Sequence, residues 1–216
     1  MSKYKMSNSA NHCGQLFIVA APSGGGKTSL VNQLIRSMSH IELSISHTTR
    51  ACRPKEKDGK DYFFIEKSTF EQMIAEDAFV EYARVFDNFY GTSKKQIEER
   101  LANGIDVVLD IDWQGAQQIR KRYPQAVGVF LLPPSLETLR ERLQNRQQDH
   151  LDVIEKRMQQ AQSEMQHYHE FDYLIVNQEF DVALSQLKSI VVAERLKKDI
   201  QVIRQRKLLS FLFTTG

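Results

Sequence analysis

The sequence predicts an α/β fold in which a central parallel sheet is flanked by helices. Short apolar runs rich in β-branched residues alternate along the chain with segments of helical spacing. Such alternation is typical of a parallel sheet covered on both faces. The chain has 216 residues, 41% of them hydrophobic, and a net charge of +2. It is therefore long and apolar enough to form one domain with its own core.

Four apolar runs predict buried strands, and the segments between them predict the covering helices. The strands are expected at residues 16–20, 105–111, 127–132 and 173–176. The helices are expected at residues 27–38 and 114–123, with one long helical pattern over 181–207.

Two regions interrupt this alternation. Residues 41–92 are rich in aromatic residues and predict short strands plus one helix, which opens at Ser68 through the capping-box spacing Ser68-x-x-Glu71. Residues 142–157 are dense in Arg, Gln and Asp and predict a solvated excursion. The resulting divisions are a disordered tail at 1–14, a core at 15–45, 93–141 and 158–207, a mixed α+β lobe at 46–92, a helical lid at 142–157 and a C-terminal tail at 208–216.

Composition excludes several classes of protein. Cys13 and Cys52 form no CxxC pair, which argues against a disulfide framework or zinc site and favours a cytoplasmic protein. No apolar stretch approaches the roughly 20 residues that a membrane helix needs, and the N-terminus lacks the apolar region of a signal peptide. The small net charge argues against binding to a nucleic acid polymer.

The strongest motif is Ala21-Pro22-Ser23-Gly24-Gly25-Gly26-Lys27-Thr28, between a predicted strand and a predicted helix. This is the context of a P-loop, in which backbone N–H groups and the helix N-terminus bind phosphate. Lys27 would reach the β- and γ-phosphates of a nucleotide, and the Thr28 hydroxyl would bind Mg²⁺. Ala21 stands where the strict pattern has Gly, so its φ must be negative.

A second acidic element accompanies the P-loop. The strand at 105–111 leads into Asp110 and Asp112, and a carboxylate at the end of such a strand can hold Mg²⁺ through water. These two elements do not distinguish a GTPase, an ATPase or a small-molecule kinase.

The lobe predicts a second anion site and a base-recognition group. Arg50 and Arg53 lie in a non-helical segment, and guanidinium groups suit phosphate oxygens, to which Tyr62 and Tyr90 would add hydroxyl donors. Two phosphate sites indicate a phosphorylated acceptor rather than water. A carboxylate such as Glu81 accepts from both N1–H and N2–H of guanine, a donor pair that adenine and cytosine lack.

These motifs occur along the chain in the order found in guanylate kinases, and the chain resembles that family over about residues 15–195. Beyond the P-loop, the resemblance is carried by Ser46-x-Thr48-Thr49-Arg50-x-x-Arg53-x-x-Glu56, Gly59-x-Asp61-Tyr62, Tyr90-Gly91-Thr92, Leu109-Asp110-Ile111-Asp112-x-Gln114-Gly115 and Ile175-Val176-Asn177. It implies a P-loop three-layer fold and Mg²⁺-dependent transfer of the ATP γ-phosphoryl group to GMP, in purine nucleotide metabolism.

The resemblance also implies roles for individual residues. The implied GMP-binding residues are Ser46, Arg50, Arg53, Glu56, Tyr62, Glu81, Tyr90, Thr92 and Asp110. The implied ATP-binding residues are Ala21, Pro22, Ser23, Gly24, Gly25, Gly26, Lys27, Thr28, Ser29 and Asn177. The implied catalytic residues are Lys27, Arg50, Arg142, Arg146 and Arg157, and the implied Mg²⁺ ligands are Thr28 and Asp112.

The sequence departs from the family pattern at a few positions and leaves some alternatives open. Cys52 and Lys55 stand where the family usually has Pro and Gly, which leaves the role of Glu56 open, and Gln147 stands at a lid position that is commonly Gly. Glu81 and Thr92 argue against an AMP or UMP kinase. Lys27 and Thr28 argue against a peptide-binding scaffold domain. Use of dGMP and formation of a homo-oligomer remain open.

Overall fold

The computed structural model describes residues 14–54, 56–85, 87–144 and 151–214. Lys55, Arg146 and Gln147 therefore lie outside the described residues, as does the tail at 1–13. The strands are β1 (Leu16–Ala20), β2 (Ile41–Leu43), β3 (His47–Thr48), β4 (Phe63–Phe64), β5 (Phe79–Val85), β6 (Asn88–Ser93), β7 (Asp106–Asp110), β8 (Val127–Leu132) and β9 (Tyr173–Val176). The helices are α1 (Lys27–Ser37), α2 (Lys67–Ala75), α3 (Lys94–Ala102), α4 (Trp113–Arg122), α5 (Leu136–Gln144), α6 (Leu151–Met165), α7 (Phe180–Arg195), α8 (Lys198–Arg204) and α9 (Arg206–Thr214), with a 3₁₀ turn at Gln166–Glu170.

The central sheet has the strand order β2-β7-β1-β8-β9, and all its neighbouring strands are parallel. This confirms the predicted fold class. β1 and β7 pair with Val19 opposite Asp110, so the chain segments that leave these two strands start side by side. In parallel α/β sheets, ligands bind at this carboxyl end of the strands.

The two faces of the sheet are buried by different helices. Phe17 and Val19 of β1 belong to a core cluster that also contains residues of α1 and α7. Leu16 and Ile18, on the opposite face, belong to a cluster with residues of α3 and α4. A strand buried on both faces needs apolar residues at every position, which is why β1 is a continuous apolar run.

The lobe is built on a second, mixed sheet with the order β4-β3-β6-β5. Phe70 of α2 stacks against Phe79 and Phe89, and these rings pack on one face of that sheet. The predicted capping box at Ser68 is wrong. Helix α2 begins at Lys67 with Glu66 in extended conformation as its N-cap, and no side chain caps the helix.

The lid segment is better packed than the sequence suggested. α5 and α6 share a buried apolar cluster of Leu139, Leu143, Ile154, Met158 and Ala161. These residues recur at helical spacing on each helix, so one face of α5 packs against one face of α6. Only Leu143 and Ile154 of this cluster fall within the predicted excursion at 142–157, where Gln144, Glu155 and Lys156 are exposed.

The single long C-terminal helix predicted over 181–207 is also wrong, because the chain forms α7, α8 and α9 instead. Asp106 is fully buried at the start of β7 and accepts from Arg195 Nε at 2.6 Å and Arg204 Nη2 at 3.3 Å. A continuous helix would separate Arg195 and Arg204 by roughly 13 Å along its axis, so both could not meet one carboxylate. The break at Lys197, whose backbone is extended, allows both contacts. Within the described ranges, no helix is long and apolar enough to cross a membrane.

We expect Asp106→Ala to lower the free energy of unfolding by about 3 kcal/mol, because it leaves the Arg195 and Arg204 guanidinium groups without their buried partner. Urea denaturation of the two proteins measures the difference. Asp87→Ala is the matched control, since Asp87 is 95% exposed and pairs only with the exposed Arg84 at 3.3 Å in the described structure. A loss no larger than that of the control would contradict the assignment.

Candidate active site

The P-loop lies between β1 and α1, with two of its glycines in the left-handed region. Gly24 has φ 86° and Gly26 has φ 85°, whereas Ala21 is not among the positive-φ residues of the described chain. A Cβ on Gly26 would lie 2.5 Å from Asn177 Nδ2. The substitution of Ala21 for Gly is therefore accommodated, and Gly26 is required both by its backbone conformation and by its close neighbour.

The N-terminus of α1 is left open for an anion. Gly26 is the N-cap residue, and no side chain bonds to the first amides of the helix. The carbonyl of Gly25 accepts from Asn177 Nδ2 at 2.9 Å. An open helix N-terminus bordered by a glycine loop is the arrangement that binds phosphate.

Asp110 joins the P-loop to the end of β7. Its Oδ1 lies 2.7 Å from Lys27 Nζ, and its Oδ2 accepts from the Thr28 hydroxyl at 2.9 Å. Lys27 Nζ also donates to the carbonyl of Ile111 at 2.7 Å. Asp110, which the family resemblance assigned to GMP, thus contacts both side chains predicted to serve ATP and Mg²⁺.

Asp112 lies two residues further on and acts as the N-cap of α4. Its Oδ1 accepts from the Gly115 amide at 2.8 Å. This bond leaves the other carboxylate oxygen available. The structure therefore places two carboxylates, from Asp110 and Asp112, at the carboxyl end of β7.

In the lobe, Arg50 is held by a bidentate ion pair with Glu56. The two bonds run from Nη1 to Oε2 at 2.9 Å and from Nη2 to Oε1 at 2.8 Å. The amide of Arg53 donates to the same carboxylate at 2.9 Å, while the Arg53 side chain is exposed. Glu56 raises the pKa of the Arg50 guanidinium, and Arg50 lowers the pKa of the Glu56 carboxyl.

Aromatic rings surround this guanidinium. Arg50 Cζ lies 5.4 Å from the centre of the Tyr62 ring, and the Tyr62 and Tyr90 rings are 5.9 Å apart. Burial raises the pKa of the Tyr62 hydroxyl, and the negative charge of Asp110 adds to that rise. The three predicted phosphate ligands Arg50, Tyr62 and Tyr90 are therefore brought together in the lobe.

Glu81 and Thr92 are cross-strand neighbours on β5 and β6. The Thr92 hydroxyl donates to Glu81 Oε1, and both residues are buried. Burial raises the pKa of the Glu81 carboxyl to about 7, with a smaller contribution from Asp112. Gly115 of α4 lies beside Glu81, since a Cβ there would be 3.2 Å from Glu81 Oε2. Ser46 is half-buried just before β3, where its carbonyl accepts from the Phe63 amide at 2.9 Å.

The predicted lid arginines are only partly described. Arg142 of α5 donates from Nη2 to the carbonyl of Asn177 at 2.9 Å, and within the described chain its buried Nη1 has no hydrogen-bond partner. Arg157 is half-buried on α6, and Arg146 lies outside the described residues. Asn177 thus joins the P-loop, through Gly25, to the lid, through Arg142.

One contact of the P-loop involves a residue that the sequence did not single out. The Ser23 amide donates to Glu164 Oε2 of α6 at 3.0 Å. Burial raises the pKa of the Glu164 carboxyl. The only sequence signal for this residue is its position seven residues after Arg157, which places both side chains on one face of a helix.

Comparisons with known proteins agree with this geometry. A family model described as guanylate kinase matches residues 13–194. Guanylate kinase from Legionella pneumophila (strain Paris) is 60% identical over 206 residues, which cover 95% of this chain and 99% of that protein. Guanylate kinase from Photorhabdus laumondii is 56% identical over 201 residues, covering 92% of this chain and 97% of that protein. The chain belongs to the guanylate kinase family.

A solved guanylate kinase has the same fold. The crystal structure of guanylate kinase from Anaplasma phagocytophilum matches with a TM-score of 0.74 and 31% identity, covering 96% of this chain and 99% of that chain. Membership of the guanylate kinase family confirms the predicted fold class and the predicted kinase activity. The roles of individual residues stay predictions.

The raised pKa of Glu81 predicts a specific pH dependence of stability. Between the ordinary pKa of 4.5 and about 7, the folded chain holds this proton more tightly than the unfolded chain does, so stability falls as pH rises. Glu81→Gln resembles the protonated side chain and lacks this loss. We compare the free energy of unfolding of the variant with that of the parent. The difference, variant minus parent, is expected to rise by about 2–3 kcal/mol between about pH 5 and about pH 8.5. Denaturant titrations across that range measure it, and parallel curves for the two proteins would contradict it.

Proposed function

We propose that this site transfers the γ-phosphoryl group of Mg²⁺-ATP to GMP, giving ADP and GDP. The observation that carries the proposal is the presence of two separate cationic groups, one in the P-loop and one in the lobe. Lys27 is the first residue of α1, whose N-terminus carries no side-chain cap, and Arg50 of the lobe is held by Glu56 beside the Tyr62 ring. A donor phosphate would bind at the P-loop and an acceptor phosphate at the lobe.

On the ATP side, the loop amides and the N-terminus of α1 would hold the β- and γ-phosphates. Lys27 would leave its contacts with Asp110 and Ile111, or share them, to neutralise charge on the transferred group. Arg142, Arg146 and Arg157 would add positive charge from the lid. The Arg142 guanidinium supports this role, because one of its nitrogens is buried without a hydrogen-bond partner in the described residues.

The donor set also suits Mg²⁺. The Thr28 hydroxyl and the Asp110 carboxylate are hard oxygen ligands 2.9 Å apart, and Asp112 adds a second carboxylate nearby. Mg²⁺ usually takes only one or two protein ligands and completes its shell with water and phosphate oxygens. This agrees with the described part of the chain, where no group of three His, Cys, Asp or Glu side chains forms a metal cage. When bound, the ion would neutralise phosphate charge, held by Thr28 and by Asp110 or Asp112.

On the acceptor side, Arg50 would bind the GMP phosphate, with Arg53, Tyr62 and Tyr90 as further donors. The ion pair with Glu56 keeps the Arg50 guanidinium in one orientation before substrate arrives. Glu81 would accept from guanine N1–H and N2–H, with Thr92 and Ser46 beside it. Guanine donors stabilise the ionised carboxylate and so oppose the effect of burial on the Glu81 pKa.

Phosphoryl transfer from ATP to GMP requires no covalent bond to the protein. A GMP phosphate oxygen is already anionic, so attack on the γ-phosphorus needs no general base. The chain's contribution is to align the two phosphates, to neutralise their charge and to exclude water, which is the competing acceptor. The lobe and the α5–α6 lid would flank the two phosphates and are the parts suited to close over them.

A coupled ADP-release assay with GMP, dGMP, AMP, UMP and CMP tests the proposed function. We expect turnover with GMP to exceed that with AMP, UMP and CMP by at least about 100-fold, because those bases leave the buried Glu81 mispaired. Equal or faster turnover with AMP or UMP would contradict the proposal. A complete absence of ATP binding would favour a non-enzymatic binding domain.

Arg50→Ala tests the acceptor phosphate site. We expect it to raise the KM for GMP at least about tenfold, with a much smaller change in the KM for ATP, since a charge-assisted bidentate contact is lost. Initial-rate kinetics with each substrate varied in turn measure both constants. Arg84→Ala is the matched control, an exposed arginine of the same lobe. An unchanged KM for GMP in Arg50→Ala would remove Arg50 from the site.

A further inference from the structure

Glu164 lies one residue before the end of α6, and its carboxylate meets the P-loop. The Ser23 amide donates to Glu164 Oε2 at 3.0 Å. The side chain is half-buried, which is costly for a carboxylate unless it accepts hydrogen bonds. Neither the residue roles implied by the family nor the proposed reaction makes use of this carboxylate.

A carboxylate is an unexpected neighbour for a loop that binds phosphate, because both are anionic. The loop amides, however, are divided between two tasks. Gly25 donates to the carbonyl of Pro22 at 2.9 Å and Ser23 donates to Glu164, so these two bonds are internal to the structure. The amides of Gly24 and Gly26 make no hydrogen bond within the described residues and remain for phosphate oxygens. Glu164 thus binds the first part of the loop and leaves the phosphate-binding part open.

The same helix carries a predicted lid arginine. Arg157 precedes Glu164 by seven residues, which is two helical turns or roughly 10 Å along the same face. Further toward its N-terminus, α6 packs on α5 through Ile154, Met158 and Ala161. After α6, the 3₁₀ turn is fastened to α4, where the His167 ring stacks on the Trp113 ring at 3.5 Å. The Glu164 bond therefore joins the P-loop to the helix that carries the lid arginine.

We propose that Glu164 is a positioning residue for phosphoryl transfer. By accepting from the Ser23 amide, it fixes α6 against the P-loop, so that the helix face bearing Arg157 is directed at the phosphates that the loop holds. The inference rests on the proposed function, because it requires ATP phosphates on the P-loop. Glu164 acts on the side of the site that binds ATP, so binding of GMP to the lobe does not depend on Glu164.

Two properties of Glu164 have opposite effects and are separable by substitution. Its negative charge repels phosphate, whereas its acceptor oxygen orders the loop and helix. Glu164→Gln removes the charge and keeps an acceptor at the same reach. Glu164→Asp keeps the charge and withdraws the acceptor by one methylene. If position rather than charge matters, the Gln variant resembles the parent and the Asp variant does not.

The experiment is initial-rate kinetics on the full-length chain, with ATP and GMP varied separately. We expect Glu164→Asp and Glu164→Ala to lower kcat/KM for ATP about tenfold, the effect of losing one hydrogen bond. Glu164→Gln stays within about twofold of the parent, and the KM for GMP changes less than about twofold in all three. Gln162→Ala is the matched control, an exposed residue of the same helix that we expect to behave as the parent.

The outcomes separate the inference from the proposed function. If the parent turns over ATP with GMP but the Asp and Gln variants have equal kcat/KM for ATP, the positioning role of Glu164 is wrong. If the parent shows no GMP-dependent ADP release, the proposed function itself is wrong. Fluorescence of Trp113, the single tryptophan, checks that the α4 contact of each variant is intact. Should Glu164→Ala fail to fold, the Asp and Gln variants decide the question without it.

Discussion

The parallel pairing of β1 with β7 is the constraint on which the rest of the molecule depends. Register places Val19 opposite Asp110, so the P-loop and the acidic end of β7 begin at the same edge of the sheet. Lys27 and Thr28 are the first two residues of α1 and therefore reach the Asp110 carboxylate directly. Because β1 is buried on both faces, the loop that leaves its carboxyl end is anchored directly in the core.

The lobe is connected to this edge by charge as well as by packing. Glu81 lies against Gly115 at the start of α4, where Asp112 caps the helix. Asp77, which has positive φ, pairs with Lys94 of α3 at 2.8 Å and with Arg122 of α4 at 2.8 Å. Exposed pairs of this kind contribute little to stability but help to orient one unit on another. The Glu81–Thr92 pair is consequently carried by the lobe and lies against α4 of the core.

The lid is attached to the phosphate loop through two short contacts. Asn177 joins the Gly25 carbonyl to Arg142 of α5, and Glu164 of α6 accepts from the Ser23 amide. Both contacts use backbone groups of the loop, the Gly25 carbonyl and the Ser23 amide. The structure therefore couples the position of the lid helices to the shape of the P-loop, with an independent apolar cluster between α5 and α6 keeping the two helices together.

Local patterns in the sequence determined much of this protein. The continuous apolar runs predicted the observed bounds of β1, β8 and β9. β1 and β8 are buried on both faces, whereas β9 is an edge strand that leaves Leu174 and Val176 exposed. The glycine positions of the P-loop and its Lys-Thr end are equally local, because they are required by the backbone conformation of the loop and by the start of one helix. The motifs of the lobe were sufficient to identify the family.

Only the tertiary structure decided which groups are partners across long sequence separations. Asp106 meets both Arg195 and Arg204 across a break in a helical pattern that is continuous in the sequence. Asp110 meets Lys27, and Glu164 meets Ser23, although no spacing rule links these positions. The capping box at Ser68 did not form, since α2 begins one residue earlier, at Lys67, with the buried Phe70 in its first turn. Periodicity reports the burial of one element, whereas hydrogen-bond partners depend on how several elements pack.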